Sequence, residues 1–240
     1  MKIMKNLKRF GLLAIAAIVA TTTIQAQDEL EATVSADVVN QYIWRGIDCG
    51  DASLQPTLGL GYKGLSISAW GSVGLTDPED TKEFDLTAAY SIGGFNIGVT
   101  DYWFNSGDGR YFHYGNGDDG DAHTFEANVG YNFGPVALQW YTNFAGADGL
   151  NKSGKRAYSS YFEFNAPFKL ASCDWTATLG AVPYATTSYG TNGFAVTNIS
   201  VKATKDIKIT DSFSVPIFAA INTNPCSQKA YLVFGFTLHP

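Results

Sequence analysis

Beyond about residue 30, apolar and polar side chains alternate one for one in segments of about ten residues, and no helical apolar period survives. In TFEANVGYNF (124–133) one face carries Phe125, Ala127, Val129, Tyr131 and Phe133, the other Thr124, Glu126, Asn128, Gly130 and Asn132. VALQWYTNF (136–144) sets Val136, Leu138, Trp140 and Phe144 against Ala137, Gln139, Tyr141 and Asn143. SYFEFNAPF (160–168) sets Phe162, Phe164 and Phe168 against Tyr161, Glu163 and Asn165. YLVFGFTL, near the C-terminal end, repeats the pattern with Leu232, Phe234, Phe236 and Leu238.

About twelve such strands are predicted. They lie near 30–44, 54–62, 64–75, 82–92, 95–105, 122–133, 136–145, 157–168, 172–183, 193–204, 212–221 and 229–239. Their links alternate in length: tight turns at 63, 93 and 134 and modest ones at 169–171 and 205–211. Between them fall longer links at 45–53, 76–81, 106–121, 146–156, 184–192 and 222–228. Strict interleaving puts the long loops on one rim and the short turns and both chain ends on the other. This predicts an all-β transmembrane antiparallel up-and-down barrel.

A secreted sandwich or lipocalin-like barrel also alternates, but its outer face must be wetted by charge. Here charged residues are only 16% of the chain, well under the roughly 25% usual for soluble domains. The polar face is mostly Gly, Ser, Thr and Asn, and the other is apolar with aromatics near segment ends, as a lipid-facing band with girdles requires. One position breaks the pattern: in FNIGVTDYWF, Asp101 shares the phase of Phe95, Ile97 and Val99, so either a bulge intervenes or Asp101 sits above the bilayer.

Residues 1–26 read as a secretory signal, with Lys2, Lys5, Lys8 and Arg9, the apolar run GLLAIAAIVA, and Ala26 at the cleavage point. Residues 27–240 then form a single outer-membrane β-barrel domain in a bacterial envelope. Cleavage leaves 12 basic against 22 acidic residues, a net charge near −10, which argues against nucleic acid as a partner.

The stretch NQYIWRGIDCGDASLQP (40–56) places Tyr42 and Trp44 in the outward phase, as girdle residues, and Gln41, Ile43 and Arg45 in the inward phase. YIWRG, followed by QPTLGLGY, resembles the start of the TorF-type porins, the Gcw_chp family. Asn40 stands where that motif would have Ser. The resemblance implies an outer-membrane barrel, and pore activity enters as the family's label.

Twelve strands about 4.8 Å apart and tilted about 40° give a backbone radius of roughly 12 Å. Inward Ser35, Gly59, Gly61, Ser66, Ser68, Ser72 and Gly130 are small, which points to a narrow channel for passive diffusion of small hydrophilic solutes. Its predicted lining charges are Asp37, Glu83, Asp85, Glu126 and Glu163, with Asp174 at the margin, against Arg45 and Lys202. Excess carboxylate favours cations weakly, although for any one carboxylate the simpler reading is a charge tied up in a lumenal salt bridge or hydrogen-bond ladder.

An alternative is a structural or partner-binding barrel without an open pore. An outer-membrane lipid-modifying enzyme would need a nucleophile near His113, His123 or His239, and neither FHYG nor AHTF has a serine two residues on. No catalytic residue, metal or cofactor is therefore assigned. Asp108, Asp118, Asp119 and Asp121, among the glycines of 105–123, could collect Ca²⁺, though their spacing fits no EF-hand and a solvated acidic loop is the simpler reading. Of three cysteines, Cys49 and Cys226 fall in the first and last long loops, which barrel closure makes neighbours, so a disulfide between them is expected with Cys173 free. The expected partners are outer-membrane lipid and small hydrophilic solutes, with homo-oligomer formation left open.

Overall fold

The structure, a computed structural model, describes residues 30–77, 80, 82–105, 110–114 and 122–240. The expected signal segment and Asp108, Asp118, Asp119 and Asp121 lie outside the described residues.

Among the described residues fourteen strands form: β1 (Glu31–Val39), β2 (Tyr42–Trp44), β3 (Ile47–Gly50), β4 (Ser53–Tyr62), β5 (Leu65–Gly74), β6 (Glu83–Ile92) and β7 (Phe95–Phe104), then β8 (His123–Asn132), β9 (Ala137–Gly146), β10 (Ser160–Leu170), β11 (Cys173–Val182), β12 (Ala195–Lys208), β13 (Ser214–Asn224) and β14 (Lys229–Leu238). Twelve of them close an antiparallel barrel in which every neighbour in space is a neighbour in sequence, apart from β1, which pairs with both β4 and β14. The remaining two, β2 and β3, form a separate hairpin.

The alternation settles which face each residue takes. Along β4, Ser53, Gln55 and Thr57 are buried while Leu54, Pro56 and Leu58 are exposed. The exposed face of the wall is apolar at Leu58, Leu60, Ile67, Ile97, Ile221, Leu232 and Phe234. Tyr62, Tyr90, Phe95, Tyr131, Phe133 and Phe168 add exposed aromatic rings toward the short-turn ends of their strands. This is the outer surface that a barrel presents to hydrocarbon and its interface. The short turns are tight enough to force left-handed backbone: Lys63 and Gly64 both have positive φ, 49° and 84°, as a two-residue hairpin turn matched to strand twist requires.

Two expectations need correction. The first predicted strand, 30–44, stops at Val39, and the chain leaves the wall there. The phase of β7 is unbroken, with Asp101 paired to Leu86 and Phe125 in register, so no bulge in β7 turns Asp101 inward.

Candidate functional site

The segment that leaves the wall after β1 re-enters the barrel. β2 and β3 pair through the two-residue turn Arg45-Gly46, whose φ values of 49° and 80° are both positive, the condition for a type I′ turn. The root of the hairpin is pinned by Asn40. Its backbone N–H and its Nδ2 donate to the Phe234 and Leu232 carbonyls of β14, both at 3.1 Å, and its Oδ1 accepts from the Phe234 N–H at 2.7 Å. The tip lies against β12 and β13: a Cβ on Gly46 would fall 1.9 Å from the Thr197 carbonyl oxygen, and the Gly46 carbonyl accepts from Asn224 Nδ2 at 3.0 Å. Ile43 packs on the buried cluster of Val39, Phe218, Ala220 and Val233.

Arg45, at the tip, reaches β8, β9 and β10, on the far side of the ring from β1. Its Nη1 and Nη2 donate to the two carboxylate oxygens of Glu126 at 2.6 and 2.8 Å, and Nη1 also donates to the Tyr189 hydroxyl at 2.8 Å. The guanidinium carbon lies 3.9 Å from the ring centre of Tyr141, 4.3 Å from that of Trp44 and 4.8 Å from that of Tyr161. Tyr102 donates to Glu126 Oε1 at 2.9 Å. This is a fork-to-fork ion pair inside an aromatic cage, with side-chain exposures of only 9% for Arg45 and 3% for Glu126. Burial alone would drag the guanidinium pKa down; Glu126, with Tyr189 and Tyr102, more than reverses it, leaving Arg45 well above its ordinary value. The hairpin thus spans the lumen and is clamped to the opposite wall.

All seven predicted lining charges lie inside the barrel, six on its wall and Arg45 on the hairpin; Arg45 meets Glu126 and Glu83 adjoins Asp85, but the seven form no single cluster. Glu163 accepts from the Tyr161 hydroxyl at 2.9 Å and from Asn165 Nδ2 at 2.8 Å. Asp37 accepts from Thr237 Oγ1 at 2.6 Å, and Lys202 holds its ammonium 4.1 Å over the Phe218 ring. Glu83 and Asp85 sit together on β6 against the near arm of the hairpin, with Tyr42 beside them. Asp174 lies at the turn rim, exposed and paired with Lys169.

The girdle placement of Tyr42 and Trp44 is overturned. Tyr42 is buried against Trp70, ring centres 5.6 Å apart, and Trp44 stacks on Tyr189 at 5.8 Å inside the barrel. The reading of inward glycines as hollow space also fails at two positions, one near each rim. A Cβ on Gly180 would fall 1.8 Å from the Tyr161 hydroxyl, and one on Gly130 would fall 2.1 Å from Gln139 Oε1. These glycines are seats for long side chains from the next strand. On β4, Gly59 and Gly61 have no such tenant, with nothing nearer than 3.4 Å.

On the outer wall, Asp101 finds a partner that sequence alone did not supply. His123, fully buried, places Nδ1 2.8 Å from Asp101 Oδ1 and Nε2 2.5 Å from the Tyr111 carbonyl oxygen. Both ring nitrogens face acceptors, and Tyr111 and Tyr114 pack on the ring. The disulfide expected between Cys49 and Cys226 is not formed, and Cys173 is likewise a free thiol. The reason is the hairpin: Cys49 lies on β3, its Sγ turned to the Ile47 carbonyl, whereas Cys226 is exposed in the last outer loop. Burial, then the Glu83 carboxylate, pushes the Cys49 thiol up to about 12. Among the described residues no group of three His, Cys, Asp or Glu is placed to hold a metal ion.

Sequence reasoning missed the cage tyrosines Tyr102, Tyr141, Tyr161 and Tyr189, which come from three strands and a loop. No family model matches the chain, and no curated protein matches it. Among solved structures it is similar to a NanC porin, at 7% identity and a TM-score of 0.47, with 86% of this chain and 98% of that chain covered.

Proposed function

We propose that this protein is a bacterial outer-membrane channel of narrow bore that passes small hydrophilic solutes, weakly prefers cations, and is constricted by the β2–β3 hairpin. The observation that carries the reading is the pairing of an apolar outer wall with an interior of charged and polar side chains, crossed by one clamped hairpin. A barrel built only as a scaffold has no need of two adjacent interior carboxylates, Glu83 and Asp85, that share hydrogen bonds with each other and Tyr42 but meet no cation, since burying charge is costly. The likeness of YIWRG to the TorF-type porins accords with this reading, and gives those five residues a physical role: aromatic packing, the fork and the turn glycine.

The cation preference rests on two of the five carboxylates the sequence points to. Glu126 is neutralised by Arg45, and Glu163 is held by two donors. Glu83 and Asp85 are the pair left to act on a passing ion.

A second reading is favoured by the clamp itself: a barrel sealed by its hairpin, serving as a structural or partner-binding element. Planar-bilayer recording on the refolded mature chain separates the two. The channel reading expects small steps with a cation-side reversal potential in a salt gradient, and larger steps once residues 41–51 are replaced by a short Gly-Ser link. Conductance only in the shortened form supports the sealed barrel, and silence in both forms sinks the channel.

A further inference from the structure

We propose that the inner wall beside the hairpin carries a binding subsite for small ammonium-bearing solutes, formed by Glu83 and Asp85 on β6, Trp70 on β5 and Thr57 on β4, and closed by Tyr42 of the hairpin. The proposal deepens the channel reading by naming the class of solute, and its test does not require the barrel to conduct.

Register places three of these residues on one rung: Thr57 pairs with Trp70, and Trp70 pairs with Asp85. Glu83 lies two residues from Asp85 on the same strand, so both carboxylates share the inward face. Exposure is 8% for Thr57, 9% for Trp70, 6% for Glu83 and 8% for Asp85. Within this patch Thr57 Oγ1, Trp70 Nε1, Glu83 Oε2 and Asp85 Oδ1 all lack a hydrogen-bond partner. Buried polar atoms are nearly always satisfied, and four orphans side by side on one wall mark a place built for something other than protein.

The charge balance decides what that something is. The charges that bear most on Asp85 are those of Glu83, Asp101 and Glu126, all negative. Arg45 is committed to Glu126, and Lys202 lies over Phe218 on β13. Two buried carboxylates without a cation call for one. Ca²⁺ wants six to eight oxygens, and among the described residues no group of three His, Cys, Asp or Glu is placed to hold a metal ion. An ammonium needs only a few acceptors, which two carboxylates and a hydroxyl supply, and the face of the Trp70 or Tyr42 ring can add a cation–π contact. The Trp70 N–H, a donor, is left for a hydroxyl or carboxylate elsewhere on the solute.

The test is titration of the refolded, detergent-solubilised mature chain with methylammonium chloride, read by calorimetry and by tryptophan fluorescence, with sodium chloride at matched ionic strength as the reference. Saturable binding of methylammonium over sodium is expected, with Glu83→Gln/Asp85→Asn weakening it about tenfold or more. Asp174→Asn, at the exposed turn rim, should leave it unchanged, and Trp70→Phe should remove the fluorescence response. Equal heats for sodium and methylammonium would overturn the proposal, because the pair would then be a screened or proton-sharing couple. Undiminished binding in the double variant would overturn it too. Should that variant not refold, wild-type protein decides alone: no saturable methylammonium heat ends the proposal.

Discussion

Arg45 sits in left-handed backbone at φ 49°, a conformation that costs a non-glycine residue roughly 1 kcal/mol or more. A glycine there would relieve it, so the side chain must return more than the strain, and the fork on Glu126 is where it does so. Removing one partner of a buried pair leaves the other as an uncompensated charge, which costs about 3–5 kcal/mol. Arg45→Ala should therefore lower the denaturant midpoint of the refolded barrel markedly, and Glu126→Gln should do so less. The double variant should lose clearly less than the two summed, and additive losses would show that the pair is not a clamp. Arg45→Lys should behave nearer to alanine than to arginine, because an ammonium cannot make the two parallel bonds. A smaller case lies on the outer wall: Asp101→Ala removes the carboxylate 2.8 Å from the buried His123 Nδ1, and a loss of about 1–3 kcal/mol is expected in the same assay. At this scale the sequence was informative about side on the wall: period-two phase puts Asp37, Glu83, Asp85, Glu126, Glu163 and Lys202 on the face away from the apolar one, whereas Arg45 is inside because it rides on the hairpin. It misplaced Tyr42 and Trp44 because alternation continues unbroken through NQYIWRG, whether the strand goes on or the chain turns off the wall at Asn40.

The hairpin is the element on which the functional reading turns, and its signal was present in short range. Tyr42-Ile43-Trp44 and Ile47-Asp48-Cys49 flank Arg45-Gly46 as two β-patterned arms flank a two-residue turn. What alternation does not carry is direction. The hairpin folds inward because Gly46 can lie against the Thr197 carbonyl and Ile43 can join the cluster around Phe218, contacts about 150 to 190 positions away in the chain that leave no local trace. Gly46→Ala tests this element by itself. A Cβ 1.9 Å from the Thr197 oxygen, at φ 80°, cannot be accommodated without lifting the tip, and lifting the tip pulls Arg45 from its cage. Expected are larger or noisier current steps in bilayers and a changed tryptophan emission from Trp44. A variant indistinguishable from wild type in both would mean that the tip is not seated on β12. The interior glycines carry a related lesson. Composition reads them as hollow, yet Gly180 and Gly130 are where Tyr161 and Gln139 lie flat, so a small inward residue can mark filled space.

For the whole molecule, loop length was the legible quantity. Long and short links alternate along the chain, which places the outer loops on one rim and the turns, with Glu31 and Leu238, on the other. The three cysteines sample three distinct positions in that frame, and so they report on it without any engineered tag. Cys226 is exposed in the last long loop, Cys173 stands beside the Ala171-Ser172 turn on the opposite rim, and Cys49 is inside, on the hairpin. A membrane-impermeant maleimide applied to intact cells at neutral pH should therefore modify Cys226, and should reach Cys173 only after the outer membrane is opened. Cys49 should resist in both conditions. The reagent attacks the thiolate, and burial together with the Glu83 carboxylate pushes the Cys49 thiol up to about 12, so raising the pH to 8 still leaves it almost wholly protonated. Its modification should appear only on unfolding. Mass mapping of the labelled peptides reads all three outcomes at once. Labelling of Cys173 ahead of Cys226 in intact cells would invert the barrel, and ready labelling of Cys49 in the folded protein would put the hairpin outside the lumen, removing the constriction and the closing wall of the ammonium subsite together.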